Sequence, residues 1–284
     1  MKLLLLVSVL WLQALQSHSK RVICYWVNYR MTLADPDKHL PENIDPTLCT
    51  HIHYAFHILD NKTNTVMESA GGGPRPKLYE RLNKLRQKNK QVKLILAVGG
   101  GAQACPPFSA MITSPTLRVG FIKNTIAYLK KYNFDGLDLA WEYPHCWYYD
   151  CSLGPQSDVD NYGKLLTEFR AAFNNNKPRL LLSAAIPSGY SGGPGDVAYD
   201  MPTMAAALDY MSVMTYDFVA ATWSSTTGHH TSFDGCVSAV EFYVNKGMPK
   251  NKIVMGVPAY AHTFTLQSAD QHGMNAPVVG VGQV

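Results

Sequence analysis

The chain has few charges and few apolar runs, and each shortage excludes something. Only 16% of its 284 residues are charged, with 25 Lys and Arg against 21 Asp and Glu and a formal net charge of +4. That balance is too thin to predict a nucleic-acid partner. After the first residues, no stretch reaches the ~20 apolar positions that a membrane span needs, so no membrane-embedded body is expected. Six cysteines occur, at 24, 49, 105, 146, 151 and 236, but no pair has the two-residue gap of a zinc knuckle. A dinucleotide-binding glycine fingerprint is also missing: "GGGP" at 71 and "GGG" at 99 have the wrong spacing and context.

What is present starts with "MKLLLLVSVLWLQALQSHS". A positive start, an apolar run of about a dozen residues and the small residues Ser17 and Ser19 predict a signal peptide over 1–19, cleaved near Ser19. The expected product is a secreted, extracellular, monomeric protein formed by residues 20–284 as one domain. In that compartment the cysteines read as disulfides, with Cys146 and Cys151 placed to close a small loop. Asn61-Lys62-Thr63 is an acceptor for N-glycosylation at Asn61.

The densest basic stretch is "KLYERLNKLRQKNKQVK" at 77–93, in which Leu78, Leu82 and Leu85 repeat at helical spacing. It reads first as a solvated helix face and second as a patch for acidic polymers.

Seven β-rich runs recur along the chain: "VICYWV" near 22, "HIHYAF" near 51, "VKLILAV" near 92, "GLDLAWE" near 136, "LLLSAAI" near 180, "YMSVMTY" near 210 and "KIVMGVPAY" near 252. Helices are predicted over 76–90, 115–131, 158–174 and 237–247. This α/β alternation implies a parallel sheet with crossover helices. Both an open doubly wound sheet and a closed barrel satisfy it. Polar and aromatic residues gather just past several strand ends, where barrel enzymes build their sites, and they favour a (β/α)8 TIM-type barrel. No eighth strand is evident, so the chain is either a fragment or a barrel left open, with its first and seventh strands as edges.

In "FDGLDLAWEYP", residues 134–144, alternation puts Leu137, Leu139, Trp141 and Tyr143 under the helices and Gly136, Asp138, Ala140 and Glu142 toward the barrel interior. Two inward acids are costly unless they pair, share a proton or face a wet site. Glu142, at the C-terminal end of the strand, reads as a general acid or base with a raised pKa. Asp135 reads as a turn residue.

This strand resembles the Asp-x-x-Asp-x-Asp-x-Glu signature of the family 18 glycoside hydrolases, the chitinases. "VICYW", "DPTLCTHIHYAF", "LILAVGG", "MTYDF" and "GVPAYA" follow in that family's order. The resemblance implies a (β/α)8 barrel that binds chitin, a β-1,4-linked N-acetylglucosamine polymer, in a cleft across its top, here without the eighth strand and without the family's small α+β insertion domain. It implies a Cys24 to Cys49 disulfide and neither cofactor nor metal. Catalysis would rest on Glu142 as acid and base, Asp138 as its inner partner, and Tyr216, which with Asp217 holds the substrate's acetamido group. Sugar contacts would come from Tyr25, Phe56, Met214 and Trp223, with Trp147, Tyr148 and Tyr149 either joining them or packing the loop.

The chain departs from the family pattern at several points. Ala140 replaces the middle Asp of the signature, Gly101 stands where a sugar-stacking Trp is usual, and His262 stands where many members carry Arg. His51, His53, His229 and His230 are expected in structural roles, although His229 in "TGHH" is similar to a family loop motif.

Overall fold

The computed structural model describes residues 20–69 and 75–283. The segment predicted as a signal peptide and the "GGGP" stretch at 71 lie outside those residues. The strands are β1 (Ile23–Val27), β2 (His51–Asp60), β3 (Thr65–Glu68), β4 (Lys93–Gly99), β5 (Gly136–Ala140), β6 (Leu181–Pro187), β7 (Tyr210–Met214), β8 (Ile253–Met255), β9 (Phe264–Leu266) and β10 (Val278–Val281). The helices are α1 (Pro76–Lys84), α2 (Cys105–Thr113), α3 (Pro115–Lys131), α4 (Ser157–Asn174), α5 (Pro194–Val197), α6 (Met201–Ala207) and α7 (Phe233–Asn245).

One curled sheet runs β1-β2-β4-β5-β6-β7-β8, every neighbouring pair parallel, with β3 folded back antiparallel onto β2. All seven expected strands belong to it, although β8 is only three residues long. Among the described residues no eighth barrel strand joins β8 to β1. Beyond β8 the chain forms the antiparallel ribbon of β9 and β10, which the glycine-rich "APVVGVGQV" did not suggest.

The helices start where local chemistry lets them. Ser114 caps α3 by accepting the Leu117 N–H, and Pro115 follows at the first helical position. Ser232 caps α7 through the Gly235 N–H, which starts that helix four residues before its predicted position at 237. In α1 the repeat of Leu78 and Leu82, continued by Leu85 in the following 3-10 turn, is buried, so the basic stretch is the outer face of a docked helix. Two of its arginines are occupied: Arg81 pairs with Glu42 at 2.6 Å and Arg86 with Asp135 at 2.5 Å. Asp135 also accepts the Leu94 N–H at 2.8 Å, so it pins the start of β5 to β4 and is more than a turn residue.

The core lies between sheet and helices, where Trp141 stacks on Phe108 of α2 with ring centroids 5.3 Å apart. A second, polar knot is buried where β2, β3, α1 and α3 meet. Glu68 accepts hydrogen bonds from Tyr54, Tyr79 and Asn28, while His57 reaches Tyr79 and Tyr128. A buried carboxylate is tolerated there because three donors satisfy it.

Two disulfides form, Cys24 to Cys49 and Cys146 to Cys151, and Cys105 and Cys236 are free and buried. Among the described residues no helix is long and apolar enough to cross a membrane.

Candidate active site

The site grows from the C-terminal ends of β4, β5 and β7. β4 and β5 run in register with Gly99 opposite Ala140. Glycine is required at 99: its φ is +118°, and a Cβ there would lie 2.2 Å from the Ala140 carbonyl oxygen. Gly100 then donates its N–H to that same oxygen at 2.7 Å. These contacts hold the end of β5, so Leu137, Leu139 and Trp141 pack outward into the core while Asp138 and Ala140 face inward.

Asp138 is fully buried and committed to the barrel interior. Its Oδ1 accepts from Ser183 Oγ at 2.6 Å, its Oδ2 accepts from the Tyr25 hydroxyl at 3.0 Å, and the His53 ring stands 3.4 Å away. Tyr25, expected on the sugar side, therefore turns its hydroxyl to the inner carboxylate. Among the described residues no hydrogen bond links Asp138 to Glu142.

Glu142 sits at the mouth, partly buried, and its carboxyl makes no hydrogen bond to a described residue. Burial raises its pKa to about 7, and the Asp217 carboxylate adds to the rise. The phenol of Tyr216 is raised by burial first, then by the charges of Asp217 and Glu142, which places all three in one electrostatic neighbourhood. Tyr149 belongs to it too: its hydroxyl accepts from Tyr143 at 2.7 Å, and Glu142 and Asp217 both push its phenol up after burial does.

Asp217 follows β7 in the left-handed backbone region, φ +62°, a conformation that non-glycine residues hold mostly where surrounding structure imposes it. Its Oδ1 accepts from the Tyr260 hydroxyl at 2.6 Å and contacts His262 Nε2 at 2.7 Å. Met214, the last residue of β7, is half-buried against the core.

The remaining expected residues are spread around this mouth. The Phe56 ring lies against Gly100, so closely that a Cβ on that glycine would meet it at 2.9 Å. Gly101 is open on its side toward Glu142, the nearest atom to a built Cβ being Glu142 Oε2 at 3.7 Å. Trp223 is 61% exposed and stands edge-on to His262. The loop after β5 divides: Trp147 is tied down by donating its indole N–H to Asp158, Tyr148 is exposed, and Tyr149 exposes much of its ring while its hydroxyl turns inward to Tyr143. Asn61 is exposed on the turn between β2 and β3. Sequence reasoning left Tyr149 open between sugar contact and loop packing, and it missed the involvement of Ser183 and Tyr260, because neither stands in the signature strand.

A second hollow, about 1070 Å³, opens at the opposite end of the strands beside Arg21, His51, Lys93, Asp209, Tyr210 and Ile253. Its lining comes from strand starts, the end of a barrel that serves stability, so the mouth around Glu142 is the better candidate on chemical grounds.

The family model described as "Glycosyl hydrolases family 18" matches residues 21–280. Mouse chitotriosidase-1 is 32% identical over 279 residues, covering 92% of this chain but only 58% of that protein. Among solved structures, catalytic domain 2 of the group II chitinase of Ostrinia furnacalis superposes with a TM-score of 0.84 at 33% identity, covering 93% of this chain and 70% of that one. Human YKL-39, described as a pseudo-chitinase with retained chitooligosaccharide binding properties, gives 0.80 at 32% identity, covering 93% and 73%.

Proposed function

The chain belongs to glycosyl hydrolase family 18, and from that premise we propose that it binds chitin oligosaccharides across the mouth around Glu142 and hydrolyses them slowly. What supports this reading is the placement of Glu142: it stands just past the end of β5, where burial first and then the charge of Asp217 raise its pKa to about 7, and its own charge acts on the phenol of Tyr216. A group with that pKa holds a proton at the working pH and can give it to a leaving glycosidic oxygen.

The two protein carboxylates that most glycosidases place on either side of the bond are not required when the substrate carries its own nucleophile. Glu142 protonates the leaving oxygen as the carbonyl oxygen of the sugar's acetamido group attacks the anomeric carbon. The bond to the leaving sugar breaks and a cyclic oxazolinium ion forms. Glu142, now a carboxylate, takes a proton from the incoming water, which opens the ring and restores the acid. Tyr216 and Asp217 hold the acetamido group so that its oxygen is aimed.

Ala140 weakens this chemistry. A carboxylate at that position would accept the acetamido N–H and offset the positive charge of the forming ring, and a methyl group does neither. Loss of one preorganised contact of this kind costs about 3–4 kcal/mol, which is on the order of 10² to 10³ in rate. A second reading, binding without turnover, is favoured by the same residue and by the likeness to YKL-39. The predicted leader would make the protein secreted, with Asn61 available for glycosylation.

The test is product release from a soluble chitin oligosaccharide, run beside Glu142→Gln. Products that disappear in the variant support slow hydrolysis. Oligosaccharide binding by calorimetry without products from either protein supports the second reading, and no binding at millimolar ligand removes both.

A further inference from the structure

Three side chains from separate loops converge beside the mouth. Asp217 follows β7, His230 precedes α7 and His262 follows β8, yet one ligand atom from each lies within 4.8 Å of the other two. Asp217 Oδ1 is 2.7 Å from His262 Nε2 and 3.5 Å from His230 Nδ1. Hydrogen bonding accounts for only part of this. Tyr260 and His262 already serve Oδ1, whereas His230 Nδ1 is buried, faces the same oxygen and has no hydrogen-bond partner among the described residues.

We infer that Asp217, His230 and His262 form a binding site for a divalent transition-metal ion of the zinc type. Two imidazoles and one carboxylate are a common donor set for Zn²⁺, and they leave a fourth position for water. Donors about 2.0–2.1 Å from a tetrahedral ion stand roughly 3.4 Å apart. The His230 to Asp217 separation already matches that value, and the His262 to Asp217 pair needs to open by less than an ångström. A carboxylate that is 33% exposed has the freedom to rotate by that amount.

The loops that bring the ligands together are fastened to one another. Phe218 N–H donates to the His230 carbonyl at 3.0 Å, Thr231 Oγ1 donates to the Thr215 carbonyl at 3.0 Å, and Thr215 Oγ1 donates to the Gly256 carbonyl at 2.7 Å. Such outer bonds hold ligands near their bound positions before the ion arrives. The three side chains are 15–33% exposed, so an ion reaches them from solvent. Magnesium suits the site poorly, because it prefers an octahedral oxygen shell.

A bound ion would also engage Asp217, the residue that the reading above assigns to the substrate's acetamido group. Metal and sugar would then exclude one another, a consequence that rests on the acetamido role given to Asp217 above.

The experiment is calorimetric titration of tag-free protein, disulfides intact, with ZnCl₂ and separately with MgCl₂, repeated on His230→Asn and His262→Gln. Thermal unfolding of each variant establishes that it is folded. Saturable one-to-one zinc binding is expected, weakened more than about 100-fold in each variant, beyond the 10–100-fold that loss of a merely supporting residue costs. No saturable zinc binding, or folded variants that bind as the parent does, overturns the site. Repeating the zinc titration with saturating chitotetraose separates the two readings. A zinc affinity lowered at least about fivefold supports a shared Asp217. Unchanged zinc affinity with sugar bound leaves the metal site standing and overturns the acetamido role. Sugar binding without zinc binding overturns the metal site alone.

Discussion

Gly100 donates its backbone N–H to the carbonyl of Ala140 at 2.7 Å, and this bond closes the end of β5 against β4 with the methyl of Ala140 facing inward. The position is 2% exposed, so a carboxylate placed there must be held by substrate or by neighbours. Ala140→Asp is expected to raise hydrolysis of a soluble chitin oligosaccharide at least about tenfold, a threshold set below the roughly 10² to 10³ that one preorganised contact contributes. Initial rates of product release measure it. No gain would show that another departure, such as Gly101 or His262, limits the site.

The proton on Glu142 sets a pH window of its own. As the acid that gives up a proton in the first step, Glu142 must be protonated, so kcat/KM is expected to fall as pH rises through about 7. The same group tilts stability. Between about pH 4.5 and 7 the folded state keeps a proton that the unfolded chain has lost, so unfolding releases it and stability declines with rising pH. The whole effect is no more than roughly 3 to 4 kcal/mol, at about 1.4 kcal/mol per pH unit of displacement. Urea unfolding at pH 5 and pH 8 should show the decline in the parent and a smaller one in Glu142→Gln.

Asp138 is a buried carboxylate whose Oδ1 is satisfied by Ser183 at 2.6 Å. Ser183→Ala removes that donor without removing the acid, and is expected to cost about 1–3 kcal/mol of stability. Tyr25→Phe removes the donor to Oδ2 in the same way. Denaturant midpoints measure both, and a loss below about 0.5 kcal/mol in each would mean that the carboxylate finds other partners.

The Cys24 to Cys49 bridge joins positions 25 residues apart and ties β1 to the start of β2. Its removal by a Cys24→Ser, Cys49→Ser double substitution is expected to destabilise the fold by about 2–4 kcal/mol, chiefly through the freed unfolded chain. Cys105 and Cys236 are buried thiols, and burial raises the pKa of Cys105, so neither should react with a thiol reagent until the protein unfolds. Labelling followed by mass measurement checks this.

The signature strand was legible because period-two alternation is a local rule: it sorted Leu137, Leu139 and Trp141 from Asp138 and Ala140 without any knowledge of their neighbours. Capping chemistry likewise gave the start of α3 at Ser114-Pro115. What stayed hidden depends on contacts between distant segments. Nothing near Tyr25 announces Asp138, 113 residues away, and nothing near His262 announces Asp217, 45 residues away. The histidines of "TGHH" read as structural along the chain, and only the fold brings one of them, His230, beside Asp217 and His262 from two other loops. β9 and β10 escaped notice because three- and four-residue strands are too short for periodicity to register.

The knot of Tyr54, Tyr79 and Tyr128 around Glu68 and His57 gives the molecule an internal gauge of its own integrity in alkali. Burial raises all three phenols above the ordinary tyrosine range, and Glu68 penalises their phenolate forms further. While the fold holds, they stay protonated where solvent-facing tyrosines already ionise. Above about pH 10 the unfolded chain therefore gains what the folded one refuses, and stability drains away with each increment of base. Ultraviolet difference absorbance would record two stages, a gradual rise from the outer phenols and then an abrupt step as the knot opens.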